Sequence, residues 1–206
     1  MARQRNLRER IVDAALELGE ARSWESVRLY DVAATLNITL DDIRAHFREK
    51  EDVAEAWFDR ADAAMLADAA TPAFQNLAPR ERLHRAIMTW LDALTRHKRV
   101  TREIIFGKLE PGHLHVQIPG LLRISRTVQW FREAAHRDAT FLQRALEETG
   151  VTTMYVVTFF YWMQDDSENA ARTREFLQRL LGGAETLSRW VYDKGSSTGP
   201  STRANA

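Results

Sequence analysis

Apolar residues recur at the spacing of an α-helix along nearly the whole chain, and no segment shows the strict apolar–polar alternation that is typical of a half-buried strand. Only 9 glycines and 5 prolines interrupt the 206 residues. With 45% hydrophobic and 28% charged residues, the composition is that of a folded chain with a core. The sequence therefore predicts an all-α fold of about nine helices.

Charge and cysteine content exclude several classes of protein. The chain has 29 Lys and Arg and 29 Asp and Glu residues, so it lacks the positive excess of a protein that coats nucleic acid over its whole surface. It has no cysteine, which excludes disulfides, thiolate metal sites and cysteine nucleophiles and fits a reducing cytoplasm. The most apolar window, residues 151–163, is shorter than the roughly 20 residues that a membrane span needs. We therefore expect a cytoplasmic protein without stable membrane insertion.

The helical pattern predicts three regions along the chain. Residues 1–68 form a head with short helices, residues 69–193 form a larger helical body, and the polar residues 194–206 form a disordered tail. Within the body, the Pro and Gly residues of 107–120 predict a loop, and Gly150 predicts the end of a short helix before a separate one over 151–163.

Two short helices with a tight connection stand in the head. Only Leu36, Asn37 and Ile38 separate their apolar patterns, which is typical of a helix-turn-helix. Asn37 can adopt the left-handed conformation that the turn needs, and Thr39 can cap the next helix together with Asp42. On spacing alone, a helical hairpin without any role in nucleic-acid binding is equally consistent with the pattern.

Four segments of the head closely resemble the TetR family of bacterial regulators: Arg10–Leu18, Val32–Ala34, Ile38–Thr39 and His46–Val53. The resemblance implies a three-helix DNA-binding head, an all-helical body that binds a ligand and dimerises, and operator DNA as a partner. The DNA contacts that it implies, together with the basic start of the chain, are Arg3, Arg5, Arg8, Arg28, Thr39, Leu40, Asp41, Asp42, Arg44, Ala45, His46, Arg48 and Lys50.

The head departs from that family where DNA would be read. Asp41 stands where a small residue is usual, and Arg44 stands where a tyrosine is usual. Residues 1–60 hold 10 Lys and Arg against 13 Asp and Glu, a net charge of −3. We expect the carboxylates of Asp41 and Asp42 to repel phosphate, although acidic residues in a first helical turn also stabilise the helix dipole.

The second half is similar to the Coq9 type of ubiquinone-biosynthesis accessory protein. The similarity is carried by Ile118–Arg123, Arg126–Val128, Trp130, Tyr161–Glu168, Thr173 and Phe176–Arg179. Those proteins share the TetR-like fold, bind lipid or isoprenoid in the body and assist a hydroxylase. The resemblance implies an alternative function, a lipid- or isoprenoid-binding accessory protein without DNA binding.

The body helices predict a ligand pocket and a dimer interface. Because residues 151–163 are apolar nearly all round, that helix must be buried on two sides. Pairing with a second copy would achieve this, and so would a place in the core of a monomer. For a small apolar effector, fatty or isoprenoid, the candidate lining is Trp90, Leu94, Phe106, Leu122, Val128, Phe131, Met154 and Phe159, although such residues equally form plain core. The candidate dimer residues are Phe160, Phe176, Leu177, Leu180 and Leu187.

No motif of an enzyme or a metal site stands out in the sequence. His113 and His115 lack a third ligand, and Asp165, Asp166 and Glu168 precede a helix start, where capping explains them better than catalysis. There is no Gly-rich phosphate loop and no nucleophile elbow. We therefore expect a protein that is not an enzyme and has neither a cofactor nor a metal.

Overall fold

The computed structural model describes residues 2–109, 114–135 and 141–196, with side chains over 7–107, 123–135 and 149–184. Every regular element in these ranges is helical, which confirms the all-α prediction. The α-helices are α1 (Ala2–Ala21), α2 (Leu29–Leu36), α3 (Leu40–Arg44), α4 (Lys50–Ala69), α5 (Pro72–Gln75), α6 (Pro79–Leu94), α7 (Lys98–Leu109), α8 (Leu114–Ala134), α9 (Phe141–Gln164) and α10 (Ala171–Ser196). Two 3₁₀ turns, Thr95–His97 and Glu168–Ala170, lie between them.

The chain divides into two compact units, Met1–Asp138 and Ala139–Ala206. In the first unit, α1 packs on α2 and α4, and α2 packs on α3. The long α4 continues from this head along α6 and α8. In the second unit, α9 packs against α10. The boundary at residue 68, inside α4, stays a prediction.

Two predicted breaks in the helices are wrong, at least in part. Helix α7 runs to Leu109 and α8 begins at Leu114, so most of the predicted loop 107–120 is helical, and residues 110–113, with His113, lie outside the described residues. Gly150 does not end a helix, because α9 continues through it. A glycine inside a helix costs only about 1 kcal/mol relative to alanine, which the packing of a long helix can outweigh.

The head is built around side chains that the helical spacing selects. Ile11, Val32, Ile43 and Phe47, from all three head helices and the segment after α3, are at most 3% exposed. Removing such apolar surface from water is the main stabilising contribution to a small helical cluster. Among the described helices, none combines the length and apolar character that crossing a membrane requires.

Candidate nucleic-acid interface

Asn37 makes the turn between α2 and α3. Its φ of 53° and ψ of 50° are left-handed, which confirms the prediction from its residue type. The Asn37 N–H donates to the carbonyl of Ala34 at 3.2 Å, and the Ile38 N–H donates to the carbonyl of Ala33 at 3.0 Å. These two bonds form the Schellman motif, which ends α2 and directs the chain into α3.

Thr39 and Asp42 form the cap that starts α3. The Thr39 hydroxyl oxygen accepts from the Asp42 N–H at 3.1 Å, and Oδ2 of Asp42 accepts from the Thr39 N–H at 2.8 Å. The Thr39 hydroxyl also donates to that oxygen at 2.7 Å. Hydrogen bonds from the side chain and the backbone of Thr39 lower the pKa of Asp42. The predicted cap is confirmed, and one oxygen of Asp42 is engaged in starting the helix.

The outward face of α3 carries an ion pair within the helix. Nε and a terminal nitrogen of Arg44 donate to Oδ1 of Asp41 at 3.0 and 2.7 Å. Both side chains are more than three-quarters exposed. The Asp41 carboxylate therefore already faces a guanidinium, and Arg44, a predicted phosphate contact, is held by that carboxylate in the free protein. Leu40, Ala45 and Arg48 are exposed beside this pair, while Ile43 points into the core.

Two of the predicted DNA-contacting cations are engaged within the head. The Lys50 ammonium donates to the carbonyls of Trp24 and Glu25 at 3.2 and 3.3 Å and lies 5.5 Å from the Trp24 ring centroid. Burial lowers the pKa of Lys50. Arg28 donates to the Glu25 carbonyl at 2.6 Å. The Lys50 contacts fasten the segment between α1 and α2 to the start of α4, and the Arg28 bond closes a turn within that segment.

Other predicted contacts surround a shallow hollow at the end of α3. The Arg8 guanidinium lies 5.2 Å from the Phe47 ring centroid and 3.8 Å from a carboxylate oxygen of Asp59. The Arg48 side chain is exposed, whereas its backbone N–H caps α4 by donating to Asp52 at 2.8 Å. The hollow has a volume of about 390 Å³ and is lined by Arg8, Arg44, Ala45, His46, Phe47, Arg48, Asp52, Glu55 and Asp59. The side chains of Arg3 and Arg5 lie outside the described residues.

Sequence reasoning missed one exposed residue on the helix-turn-helix. Tyr30, the second residue of α2, is 61% exposed. It stands off the apolar stripe of α2, which runs through Leu29, Val32 and Ala33. The exposure of Tyr30 could have been predicted from its position, because an aromatic residue outside the buried stripe of a short helix must face solvent.

A buried charge cluster joins α4, α6 and α8, and no local pattern in the sequence indicates it. Asp62 and Arg123 are each 7% exposed, and the guanidinium donates to Oδ2 of Asp62 at 2.8 Å. The other oxygen of Asp62 accepts from Trp90 Nε1 at 2.7 Å and from the Thr127 hydroxyl at 3.2 Å. Arg123 also donates to Asp59 at 2.5 Å. Burial raises the pKa of Asp62, although Arg123, Trp90 and Thr127 act in the opposite direction.

Four predicted pocket residues are buried in the first unit. Trp90 stacks on Phe58, with ring centroids 6.0 Å apart, and meets Phe131 edge-on at 6.4 Å. Leu94 and Val128 are fully buried, whereas Phe106 is 49% exposed. The Leu122 side chain lies outside the described residues, and Met154 and Phe159 belong to the second unit. The indole N–H of Trp90 is bonded to Asp62, and its ring contacts Phe58 and Phe131, so these parts of Trp90 already have protein partners.

The second unit exposes part of its predicted dimer residues. Phe160, Phe176 and Leu180 are partly exposed, whereas Leu177 is fully buried within the single chain, and the Leu187 side chain lies outside the described residues. The Phe176 ring stacks on Tyr161 with centroids 4.4 Å apart. Val157 and Tyr161, one helical turn apart, are 43% and 38% exposed and extend this surface.

Asp165 caps the start of α10, as its place before the helix predicts. Its Oδ2 accepts from the N–H and the hydroxyl of Thr173 at 2.9 and 2.6 Å, and its Oδ1 accepts from the Ser167 N–H at 2.9 Å. Burial alone would raise the pKa of Asp165, but these hydrogen bonds outweigh it and lower the pKa well below its usual range. Within the described residues, no group of His, Asp or Glu side chains could hold a metal ion.

Similarity to a solved structure identifies the family of this chain. The TetR transcriptional regulator from Nitrosomonas europaea ATCC 19718 shares 50% of its sequence with this protein, over 90% of this chain and 99% of that one, with a TM-score of 0.78. The chain belongs to the TetR family. A regulatory protein of the TetR family from Rhodococcus RHA1 is more distant, with 19% identity over 84% of this chain and 96% of its own, and a TM-score of 0.45.

The second unit also matches a different family model. The COQ9 model matches residues 139–188, which cover most of α9 and α10. No curated protein matches the chain significantly. Both resemblances seen in the sequence are thus confirmed, the TetR one over nearly the whole chain and the COQ9 one over residues 139–188. The residues before 139 that were expected to carry the COQ9 resemblance lie outside that match.

Proposed function

We propose that this chain is a dimeric cytoplasmic regulator of the TetR type, without catalytic activity, that binds operator DNA through residues 1–68 and a small apolar effector within residues 69–193. The observation that carries the proposal is the capped helix-turn-helix in a chain of this family: Asn37 turns the backbone and Thr39 starts α3 with an exposed outer face. In such motifs the start of the second helix meets base edges in the major groove.

The phosphate contacts come from cations around α3. Arg48 is exposed beside the hollow that Arg8 also lines, and Arg44 can turn from Asp41 to a phosphate. The proposed phosphate contacts also include Arg3 and Arg5, at the start of the chain. Lys50 and Arg28 act indirectly, since they hold the segment between α1 and α2 in place. The net negative charge of the head means that affinity depends on these few groups.

The body supplies the effector site and the dimer interface. Aromatic and aliphatic residues of α6 and α8, among them Trp90 and Phe131, are the proposed contacts of an apolar effector, which would have to displace side chains that are buried in this structure. Val157, Tyr161, Phe176 and Leu180 offer an apolar surface on α9 and α10 for a second copy.

Measurement of DNA affinity at two salt concentrations tests the proposal. We expect fluorescence anisotropy to show tighter binding to the protein's own upstream DNA than to random duplex at about 50 and about 200 mM salt. Arg48→Ala should weaken binding to every sequence and lower the salt slope by about one, because one phosphate is no longer neutralised. Arg172→Ala changes another exposed arginine, on α10 in the second unit, and as the matched control it should change neither. Equal, weak affinity for all duplexes at low salt would contradict the proposal.

A second variant tests the acidic face of α3. Asp41→Asn removes the carboxylate that holds Arg44, so we expect tighter binding to both upstream and random DNA. Asp166→Asn, an exposed carboxylate in the second unit, is the control and should leave affinity unchanged. Weaker binding by Asp41→Asn would mean that this carboxylate accepts from a base.

A Coq9-like lipid- or isoprenoid-binding function is the alternative, and the match of residues 139–188 to the COQ9 model favours it. Under this alternative the head keeps the fold of a DNA-binding domain but has lost its function. The protein would bind no DNA specifically, and native mass spectrometry would detect a copurified lipid. A lipid that copurifies and also lowers operator affinity would instead be the effector of a regulator.

A further inference from the structure

Leu40 breaks the packing pattern of its own helix. Leu40, Ile43 and Phe47 share helical spacing, which predicts that all three are buried. Ile43 and Phe47 are buried, but Leu40 is 53% exposed. Places where a sequence departs from its local pattern without an evident gain in packing are frequently functional.

Leu40 lies at the end of α3 that would meet DNA. It is the first residue of α3, next to the Thr39 cap and one turn before Arg44. The polar groups around it are engaged, since Asp42 is part of the cap and Asp41 is paired with Arg44. Leu40 is therefore the exposed side chain at the start of α3 that offers an apolar contact.

We infer that Leu40 recognises thymine by contact with its C5-methyl group in the major groove. The inference rests on the proposed DNA binding. In the major groove, thymine is the base with a methyl group on its exposed edge, and an aliphatic side chain is its natural partner. The isobutyl group of Leu40 thus selects a thymine in each half-site, while Arg44 and Arg48 contact phosphates that carry no sequence information.

Removing that methyl group from the DNA tests the contact directly. An operator is first selected from random duplexes with the intact protein, and each thymine is then replaced singly by deoxyuridine, which pairs identically but lacks the methyl. We expect one replacement per half-site to weaken binding about fourfold, the effect of one buried methyl group, and the others to have little effect. Leu40→Ala should bind the thymine and deoxyuridine operators equally.

Leu40→Met is the control for a general defect, because it keeps an apolar side chain of similar volume and should retain part of the thymine preference. Circular dichroism checks that both variants are folded, and the exposure of Leu40 means that alanine there costs the fold little. If the deoxyuridine penalty persists undiminished in Leu40→Ala, or if no thymine shows a penalty, the inference is overturned while DNA binding stands. If the intact protein selects no sequence at all, the proposed function fails with it.

Discussion

Replacing Arg123 by methionine separates the contribution of the buried charge cluster from ordinary packing. The change keeps most of the side-chain volume but removes the guanidinium that lies 2.8 Å from Asp62 and 2.5 Å from Asp59. Asp62 would keep its bonds from Trp90 and Thr127 but lose its counter-charge. Removing one partner of a buried ion pair typically costs about 3–5 kcal/mol. Because Asp59 is half-exposed and can be solvated, we expect about 3 kcal/mol.

The loss of stability in Arg123→Met should depend on pH, because it comes from the ionised carboxylate of Asp62. Burial already raises the pKa of Asp62, and loss of Arg123 must raise it further. A carboxyl group whose pKa is higher in the folded state binds more protons there, so its ionisation destabilises the fold as pH rises through that pKa. The loss in Arg123→Met should therefore be full at neutral pH and smaller near pH 5.

Urea unfolding followed by tryptophan fluorescence at pH 7.5 and pH 5, at fixed protein concentration, measures this. The double variant Asp62→Asn with Arg123→Met removes the unpaired charge, keeps an acceptor for Trp90, and should recover about 2 kcal/mol. Arg60→Met is the matched control, since its pairs with Glu9 and Asp13 are more exposed, and should cost about 1 kcal/mol. A loss in Arg123→Met no larger than in Arg60→Met, or one that grows at low pH, would refute the reasoning.

Two further predictions concern local contacts. Asp165→Ala leaves the polar groups of Thr173 and Ser167 without their acceptor, so we expect a loss of about 2 kcal/mol in urea unfolding. Because the pKa of Asp165 is lowered in the folded state, the loss of stability in Asp165→Ala should be full above the ordinary aspartate pKa of 3.8 and shrink progressively as pH falls below it. A loss that stays constant down to about pH 2 would mean that the hydrogen bonds to the ionised carboxylate are not its source. A Cβ on Gly19 would lie 3.1 Å from a methyl of the buried Val100, so Gly19→Val should lower the thermal midpoint by overpacking. Adding Val100→Ala to that variant should restore part of the loss. An unchanged midpoint for Gly19→Val would mean that α7 shifts to accommodate the larger side chain at no cost.

The helix-turn-helix was predictable because its signals are local. Asn37 in the turn and Thr39 with Asp42 at the cap act on residues three or four positions away, and the structure confirms both. The continuous α9 was missed because Gly150 is a weak helix breaker whose cost packing can offset. The pairing of Arg123 with Asp62 spans 61 residues, and no local pattern indicates which of several carboxylates a distant arginine will reach.

The exposure of Leu40 was hidden for a related reason. Helical spacing assigns a residue to a face, but α3 has five residues, too few for one face to be covered along its whole length. The sequence therefore predicts that Leu40 contributes to α3 but not that it stands outside the core. The same limit applies to the predicted dimer residues, because Leu177 is fully covered within one chain while its neighbour Phe176 is only partly covered.

Asp59 has a consequence for attempts to build hybrid regulators from this protein. Its carboxylate lies 3.8 Å from Arg8 of α1 and 2.5 Å from Arg123 of α8. A chimera joined at residue 68 would keep Asp59 and Arg8 but replace Arg123 with whatever the donor body carries. The head is therefore not a freely interchangeable module: a graft has to bring an arginine to the position of Arg123, or to remove the buried carboxylate of Asp62 along with it.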